Sequence, residues 1–221
     1  DTTWGTCDLN SNGAKVLGAE ILFNIGHTNK LEVFPGEQDN VIMIDAFDNV
    51  PFDTVLPKAI EILKGKTVSL ITDSQHLHQV ESVRKKLEEE GVFVKIGKGK
   101  GQLNDGQVFG CEFYPAMEIK EEVDANLFLG QSNFHAAGVA ISTKVKTYIL
   151  DPYFNEVRDV TNFAEKLEKK ATLKIYKAID AKVFGVIVGL KEGQFAKVTA
   201  LKFKKELEEQ GKEVQLLALT D

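Results

Sequence analysis

Short apolar runs alternate with amphipathic stretches along most of this chain, and turn-forming residues separate them. The apolar runs are short enough for strands, and the amphipathic stretches have the three-to-four-residue spacing of helices. The predicted strands are 20–25, 41–45, 66–72, 92–96, 125–129, 146–150, 183–188 and 213–219. The predicted helices are 14–17, 53–63, 75–90, 134–142, 161–179 and 194–210. Strands that alternate with helices favour parallel sheets with right-handed crossovers, so we predict an α/β fold.

The alternation repeats as three small α/β units in series, although no internal sequence repeat is visible. We assign residues 1–50 to the C-terminal part of a first domain, 51–152 to a second domain and 153–221 to the N-terminal part of a third. The chain begins at Asp1 within the first unit and ends at Asp221 directly after a predicted strand. We therefore expect the first and third domains to be incomplete, and the sequence to be part of a longer protein.

Histidine occurs only just after predicted strands. His27 follows the strand that ends at residue 25, His76 and His78 follow the strand that ends at residue 72, and His135 follows the strand that ends at residue 129. Ligands of open parallel sheets bind at the carboxyl ends of the strands, so this placement indicates a binding site. Two ordinary alternatives remain: a histidine can begin a helix, or it can hydrogen-bond a neighbouring loop.

The two cysteines, Cys7 and Cys111, come two residues and one residue after a glycine, and they lie about a hundred residues apart. Gly106 and Gly110 precede the second one by five residues and one residue, and glycine tolerates backbone angles that allow a bulky ligand to approach closely. One hypothesis is a metal enzyme in which both thiolates meet, since thiolates select zinc or iron–sulfur clusters. An iron–sulfur cluster normally takes more than two thiolates. The other hypothesis is a small-molecule-binding protein with inert cysteines.

Composition and charge exclude several classes of protein. The chain has 221 residues, of which 43% are hydrophobic and 27% charged, as in ordinary globular proteins. No apolar run approaches the roughly eighteen residues of a membrane span, and no export signal is visible. Two cysteines are too few for a disulfide framework and suit the reducing cytoplasm, where we expect the protein. The net charge of −6 gives no indication of nucleic-acid binding.

A glycine-rich stretch at 97–101 contains Lys98 and Lys100. Backbone amides and lysines of such a loop could hold a phosphate. The spacing matches neither the P-loop nor the dinucleotide-binding fingerprint. We interpret the stretch as a connecting loop.

Several short motifs together resemble one known family. They are Thr3-Trp-Gly-Thr-Cys-Asp8, Gly26-His-Thr28, Gln75-His-Leu-His78, Gly106-Gln-Val-Phe-Gly-Cys111, Phe134-His135, Asp151-Pro-Tyr153, Asp180-Ala-Lys-Val-Phe-Gly185 and Lys191-Glu-Gly-Gln194. In this order they resemble the archaeal-type diphthamide synthases, the 2-(3-amino-3-carboxypropyl)histidine synthases. The resemblance extends over essentially the whole chain, and the two cysteine motifs in combination are its most specific part.

The resemblance implies three α/β domains of similar topology around a central cleft. In the family each domain contributes one cysteine to a [4Fe-4S] cluster, whose fourth iron binds S-adenosylmethionine. The reduced cluster forms a 3-amino-3-carboxypropyl radical, which attacks C2 of a histidine imidazole on translation elongation factor 2. This transferase reaction is the first step of diphthamide synthesis. The resemblance also implies a cytoplasmic homodimer that contacts neither a membrane nor nucleic acid directly.

By position in these motifs, Cys7 and Cys111 correspond to the first and second cluster ligands. The same comparison, together with placement at strand ends, gives eight residues that we expect to border the cluster or the cleft. They are Gly26, His27, Gln75, His76, Gln107, Gly110, Gly130 and His135. No residue of the chain is assigned as a catalytic acid or base.

One part of the family pattern is missing, because a third cysteine should follow the strand that ends at Leu219. We expect that ligand beyond Asp221, and we expect residues 1–221 alone to hold no stable cluster and to be inactive. Two other functions stay open. The protein could be the non-catalytic partner subunit of a heterodimeric synthase, or a zinc-dependent or metal-free protein that binds a nucleotide or another small molecule.

Overall fold

The computed structural model describes residues 11–26, 41–191 and 195–219. The chain divides into two compact units, of which one is Phe23–Lys169 and the other combines Asp1–Leu22 with Lys170–Asp221. The described strands form three separate sheets, of two, five and two strands. The predicted mixed α/β fold with parallel sheets is confirmed. The three-domain division with boundaries at residues 50 and 152 stays a prediction, as does the central cleft.

A two-stranded sheet joins β1 (Leu22–Ile25) and β2 (Val41–Ile44), and helix α1 (Ser11–Val16) precedes it. The amide of Gly26 donates a hydrogen bond to the carbonyl oxygen of Ile44 at 2.8 Å, directly after β1. Gly26 has a φ of +91°, in the left-handed region that favours glycine. The chain therefore turns at this residue while its amide stays bound to the neighbouring strand.

The central sheet of the Phe23–Lys169 unit has the order β4-β3-β5-β6-β7. Its strands are β3 (Thr67–Thr72), β4 (Phe93–Lys95), β5 (Ala125–Leu129), β6 (Thr147–Asp151) and β7 (Glu156–Asp159). The first four are parallel, whereas β7 is antiparallel to β6. Strand β7 was not predicted from the sequence, because a short, polar edge strand has no apolar pattern. It also carries the central sheet past residue 152.

Helices cover both faces of this sheet. On one face lie α2 (Leu56–Leu63) and α3 (Val80–Glu89), and their apolar side chains pack on Leu70, Leu127 and Leu150. On the other face α5 (Asn133–Thr143) packs on Ile71, Phe128 and Ile149. Alternate residues of β3, β5 and β6 thus enter opposite cores, and strands buried on both faces are nearly continuous apolar runs in the sequence.

The starts of α2 and α3 differ from the prediction in their local structure. Asp53 does not cap α2; instead it forms an ion pair with Lys86 of α3, and α2 begins at Leu56 with Pro57 in its first turn. The predicted helix 75–90 is a 3₁₀-helical turn, Ser74–Gln79, followed by α3. The Asp73 carboxylate accepts a hydrogen bond from the Gln75 amide, which caps that turn.

The other compact unit contains the parallel pair β8 (Val183–Gly189) and β9 (Glu213–Leu219), with α7 (Lys197–Glu209) between them in the chain. Helix α6 (Thr161–Ala178) precedes β8, and the short α4 (Tyr114–Glu118) precedes β5. The order of α6, β8, α7 and β9 is the one that the sequence predicted. Within the described residues, none of the helices is long and apolar enough to cross a membrane.

Candidate functional site

Three loops meet where β3, β5 and the segment before Cys111 end. The amide of Thr72 donates to the carbonyl oxygen of Gly106 at 3.0 Å, and the amide of Val108 donates to the carbonyl oxygen of Thr72 at 2.8 Å. Residues 106–108 therefore extend the sheet beside β3. The Thr72 hydroxyl donates to the carbonyl oxygen of Leu129 at 2.9 Å. These bonds place the cysteine-containing loop at the carboxyl edge of the sheet, where parallel α/β sheets bind ligands.

Gln107 is fully buried and holds this loop together. Its side-chain oxygen accepts hydrogen bonds from the backbone and side-chain nitrogens of Asn104, at 2.9 and 2.8 Å, and its amide donates to the Ser74 hydroxyl at 3.1 Å. Ser74 is the residue next to Gln75. Gln107 therefore connects the cysteine loop to the turn after β3 through its hydrogen bonds. Gln75, by contrast, is exposed.

Cys111 is exposed, two residues after the partly buried Phe109. The loop closes on itself through a hydrogen bond of 2.9 Å from the Phe109 amide to the carbonyl oxygen of Glu112. An exposed thiol in a fixed loop is accessible to a soft metal ion or cluster. Cys7 and His27 lie outside the described residues. Within the described ranges no three His, Cys, Asp or Glu side chains are grouped so as to hold a metal ion.

Gly110 is in close contact with Phe134, at the start of α5. A Cβ atom on Gly110 would lie only 1.9 Å from Cε1 of the Phe134 ring. The Phe134 side chain is nevertheless 67% exposed and meets the His135 ring edge-on at 5.5 Å between centroids. The structure thus places an uncovered aromatic ring beside Gly110, the residue before Cys111, where the ring can contact an apolar part of a ligand.

We expect Gly110→Ala to displace the Phe134 ring at a small cost in stability. Because the neighbour is an exposed side chain that can rotate away, the free energy of unfolding should fall by about 1 kcal/mol or less. Urea denaturation and the NMR signals of the Phe134 ring measure both effects. In a Phe134→Ala background the same substitution should cost nothing. An equal cost in both backgrounds would show that another contact, and not the ring, excludes the side chain.

His135 contacts the Phe134 ring, and Gly130 lies in the loop between β5 and α5. His135 stacks on the buried Phe128 ring, with 5.9 Å between centroids and 10° between planes, and its Nδ1 is 2.6 Å from the Ser132 hydroxyl. Gly130 directly follows β5 with a φ of +128°, and a Cβ there would lie 3.2 Å from Phe128 and 3.4 Å from His76. A side chain at Gly130 would therefore be strained and would fill the space at the strand end.

His76 is only 1% exposed and is held by several side chains. Its Nδ1 is 3.2 Å from Oε1 of Gln79, its Nε2 is 3.3 Å from the Tyr153 hydroxyl, and its ring meets Phe52 edge-on. His78, by contrast, is exposed, bound to Asn49 at 3.0 Å and in contact with Phe47. Of the two histidines, His76 is the one that lies behind Gly130.

The sequence interpretation did not assign Asp48 or Tyr153 to the site. The Tyr153 hydroxyl donates to the Asp48 carboxylate at 2.5 Å, across 105 residues of chain. This bond, first among several causes, lowers the pKa of Asp48 below 3.8. Burial, and next the bond to Asp48, raises the pKa of Tyr153 above its usual range. The motif Asp151-Pro-Tyr153 was the available signal, but no strand-end pattern indicated its partner.

These two shifts fix how the pair responds to pH. A lowered carboxyl pKa stabilises the fold above the unfolded value of 3.8, and that contribution is lost as pH falls through the lower folded value. A raised tyrosine pKa stabilises it below 10.0, and that contribution is lost as pH rises through the higher folded value. The pair is therefore complete, with Asp48 charged and Tyr153 neutral, across the whole neutral range.

Asp151, at the end of β6, positions Tyr153. Its fully buried carboxylate accepts hydrogen bonds from the amides of Tyr153 and Phe154, at 2.9 and 3.0 Å. Arg158 of β7 pairs with it at 3.0 Å and also donates to the carbonyl oxygen of Gln131 at 2.9 Å. One carboxylate and one guanidinium thus connect the loops that follow β5 and β6.

The loop at 97–105 is not arranged to hold an anion. The amide of Lys98 donates to the Glu118 carboxylate at 2.6 Å, and the amide of Gly99 donates to the Asp105 carboxylate at 2.8 Å. The Lys98 side chain also pairs with Asp105. These backbone donors are already bound to carboxylates, which agrees with the interpretation of the stretch as a loop.

Comparison with known proteins shows to which family the chain belongs. The sequence profile of the diphthamide synthesis proteins matches residues 1–221, the whole chain. The chain belongs to this family. The resemblance inferred from the cysteine, histidine and glycine motifs is therefore confirmed.

Individual diphthamide synthesis proteins are similar over the full chain. The 2-(3-amino-3-carboxypropyl)histidine synthase of Pyrococcus horikoshii is 33% identical over 227 residues, covering 100% of this chain and 63% of its own. Subunit 1 of the synthase of Gibberella zeae is 25% identical and is covered over 48% of its length. The crystal structure of Dph2 from P. horikoshii with a 4Fe-4S cluster matches with a TM-score of 0.86 at 32% identity, over 100% of this chain and 64% of that one. The chain thus spans less than two thirds of these relatives.

Proposed function

We propose that this protein transfers the 3-amino-3-carboxypropyl group of S-adenosylmethionine to C2 of a histidine in translation elongation factor 2. The observation that carries the proposal is the exposed Cys111 in a strand-end loop, in a chain that matches a cluster-containing structure over its whole length. We further propose that the protein acts in the cytoplasm as a homodimer, as the resemblance implies.

The described residues fit an iron–sulfur cluster on the side of Cys111. A thiolate is the ligand that iron–sulfur clusters take, and Cys111 is accessible in a loop that Gln107 fixes to the sheet. We propose Cys7 as a second thiolate and residues outside those described as the remaining ligands. When bound, the cluster would supply the electron that cleaves a carbon–sulfur bond of S-adenosylmethionine.

The other site residues would bind and orient the substrate. Phe134 offers an exposed ring against Gly110, the residue before Cys111, and the missing side chain of Gly110 lets that ring approach the cysteine loop. His135 is held by Ser132 on one side and by Phe128 on the other, so its ring is fixed in orientation. We propose that Gly26, His27 and Gln75 also border the bound ligand, as their motifs imply.

The experiment uses the protein as its gene encodes it. After anaerobic reconstitution with iron and sulfide, we expect about four irons per chain. With a reductant and S-adenosylmethionine, mass spectrometry should then show one 3-amino-3-carboxypropyl group added to elongation factor 2. A factor in which the target histidine is replaced by alanine is the control and should stay unmodified. A full cluster without any modification would contradict the transferase proposal, and the absence of iron would contradict the cofactor.

A second candidate is a subunit that works only in a hetero-oligomeric synthase. It is favoured by the relatives named subunit 1, among them the human protein, which is 25% identical over 193 residues, covering 86% of this chain and 43% of its own. The P. horikoshii relative, whose name specifies no subunit, is more similar at 33%. Activity of the purified protein without any partner would exclude this candidate.

A further inference from the structure

We propose that Tyr153 is a positioning residue of this site, which fixes the buried His76 imidazole behind Gly130 and ties it to Asp48. The proposal rests on the proposed transferase function for what the site binds. Its structural part rests on hydrogen bonds among described side chains. Neither the strand-end pattern nor the family motifs assign this role.

The orientation of His76 follows from the side chain of Gln79. The Gln79 amide nitrogen donates to the carbonyl oxygen of Val50 at 3.0 Å, so its oxygen faces Nδ1 of His76 at 3.2 Å. An amide oxygen only accepts hydrogen bonds, and Nδ1 therefore carries a proton. In the neutral ring Nε2 is then an acceptor, and it faces the Tyr153 hydroxyl at 3.3 Å.

Tyr153 has one proton and two neighbouring acceptors. The Asp48 carboxylate at 2.5 Å is closer than His76 Nε2 at 3.3 Å, and a bond to a charged acceptor is the stronger of the two. The proton therefore lies between Tyr153 and Asp48, and the tyrosine oxygen is in contact with Nε2 of His76 without donating to it. Tyr153 thus holds the imidazole by packing, with 6.0 Å between the two ring centroids, while its hydrogen bond fixes it to Asp48.

This network also fastens the segment after β2 to the turn after β3. The amide of Asp48 donates to the carbonyl oxygen of Gln75 at 2.9 Å, and Phe52 packs on the His76 ring. Since Gly130 lies against His76, a shift of the imidazole would move the wall of the site. The hydroxyl of Tyr153 is thus placed to set the geometry of the ligand surface without contacting the reacting atoms.

The experiment compares Tyr153→Phe with Tyr148→Phe in the reconstituted protein. Tyr148 is a matched control, since it is a buried tyrosine near the start of β6, whereas Tyr153 follows the other end of that strand at Asp151. For Tyr153→Phe we expect kcat/KM for S-adenosylmethionine to fall about tenfold, mainly through KM, because a charge-assisted hydrogen bond is lost. Asp48→Asn added to Tyr153→Phe should cause little further loss, because both act through one bond. The control should keep the wild-type KM.

NMR titration gives a readout that does not need turnover. In Tyr153→Phe the pKa of Asp48 should rise toward 3.8, because its main hydrogen bond is gone, and the His76 ring nitrogen shifts should change. The charged or titratable groups that face this pair are His76, His78, Asp73 and Asp151. An unchanged Asp48 titration would overturn the network. Equal kinetic losses in both tyrosine variants would overturn the positioning role. An inactive wild type with the expected NMR shifts would instead refute the transferase function, and with it the role of Tyr153 in that reaction.

Discussion

Replacing Cys111 with alanine is expected to abolish cluster assembly and turnover in the reconstituted protein. The chain contains only two cysteines, and we propose both as cluster ligands, so no other thiol of residues 1–221 can take over. We expect the iron content to fall from about four per chain to less than one. Activity should fall by at least about a hundredfold, since even the partners of ligands are worth about 10- to 100-fold. Iron analysis and the modification assay measure both effects.

The fold should tolerate this change, which makes the loss specific. Cys111 is exposed, and substitutions at exposed positions usually change stability by about 0.5 kcal/mol or less. Cys111→Ser, which keeps the size but not the soft thiolate, should behave as the alanine variant does. Glu112→Ala, at the neighbouring position, should retain iron. A Cys111→Ala protein with a full cluster would show that this thiol is not a ligand.

Replacing Phe128 with alanine should have the largest effect on stability. The ring is fully buried in the core between β3, β5, β6 and α5. Truncation of a buried phenylalanine removes its burial and leaves a cavity, so the free energy of unfolding should fall by about 3–5 kcal/mol. Phe128→Leu should cost less, because it leaves a smaller cavity. Urea denaturation followed by circular dichroism measures these differences.

The same ring supports the site, so its loss should also impair ligand binding. Phe128 stacks on His135 and lies 3.2 Å from the position of a Cβ on Gly130. Phe93→Ala is the control, because Phe93 is 62% exposed on the edge strand β4 and should cost less than about 1 kcal/mol. If Phe128→Ala cost no more than Phe93→Ala, the packing described here would be wrong.

The elements with strong apolar patterns were predicted well. Strands 125–129 and 213–219 have the predicted bounds, and the helix predicted at 161–179 ends one residue earlier. The helix predicted from 75 is instead a 3₁₀-helical turn before α3, because Asp73 caps a tight turn whose hydrogen bonds do not follow from apolar spacing. Strand β7 was missed because it lies at the edge of the sheet, paired with β6 alone, and its polar residues form no apolar pattern.

Of the predicted site, the structure brings His76, Gln107, Gly110 and Cys111 to the strand ends that also carry Gly130 and His135. It places Gly26 at the end of the two-stranded sheet, whereas Cys7 and His27 lie outside the described residues. The roles of all ten predicted residues stay predictions. The sequence could not reveal which strand-end residues contact each other, because side-chain contacts depend on the register of strands distant in the chain.

The sequence by itself determined the α/β class and the family, because periodicity and short motifs are local properties of the chain. It also placed the candidate residues at strand ends. Only the tertiary structure decided that Asp48, His76 and Tyr153 share one network, since 105 residues separate the carboxylate from the hydroxyl it binds. Only the folded chain showed that Gly110 makes room for Phe134. Such contacts form when parallel strands align and bring their carboxyl ends to one edge, which no local pattern encodes.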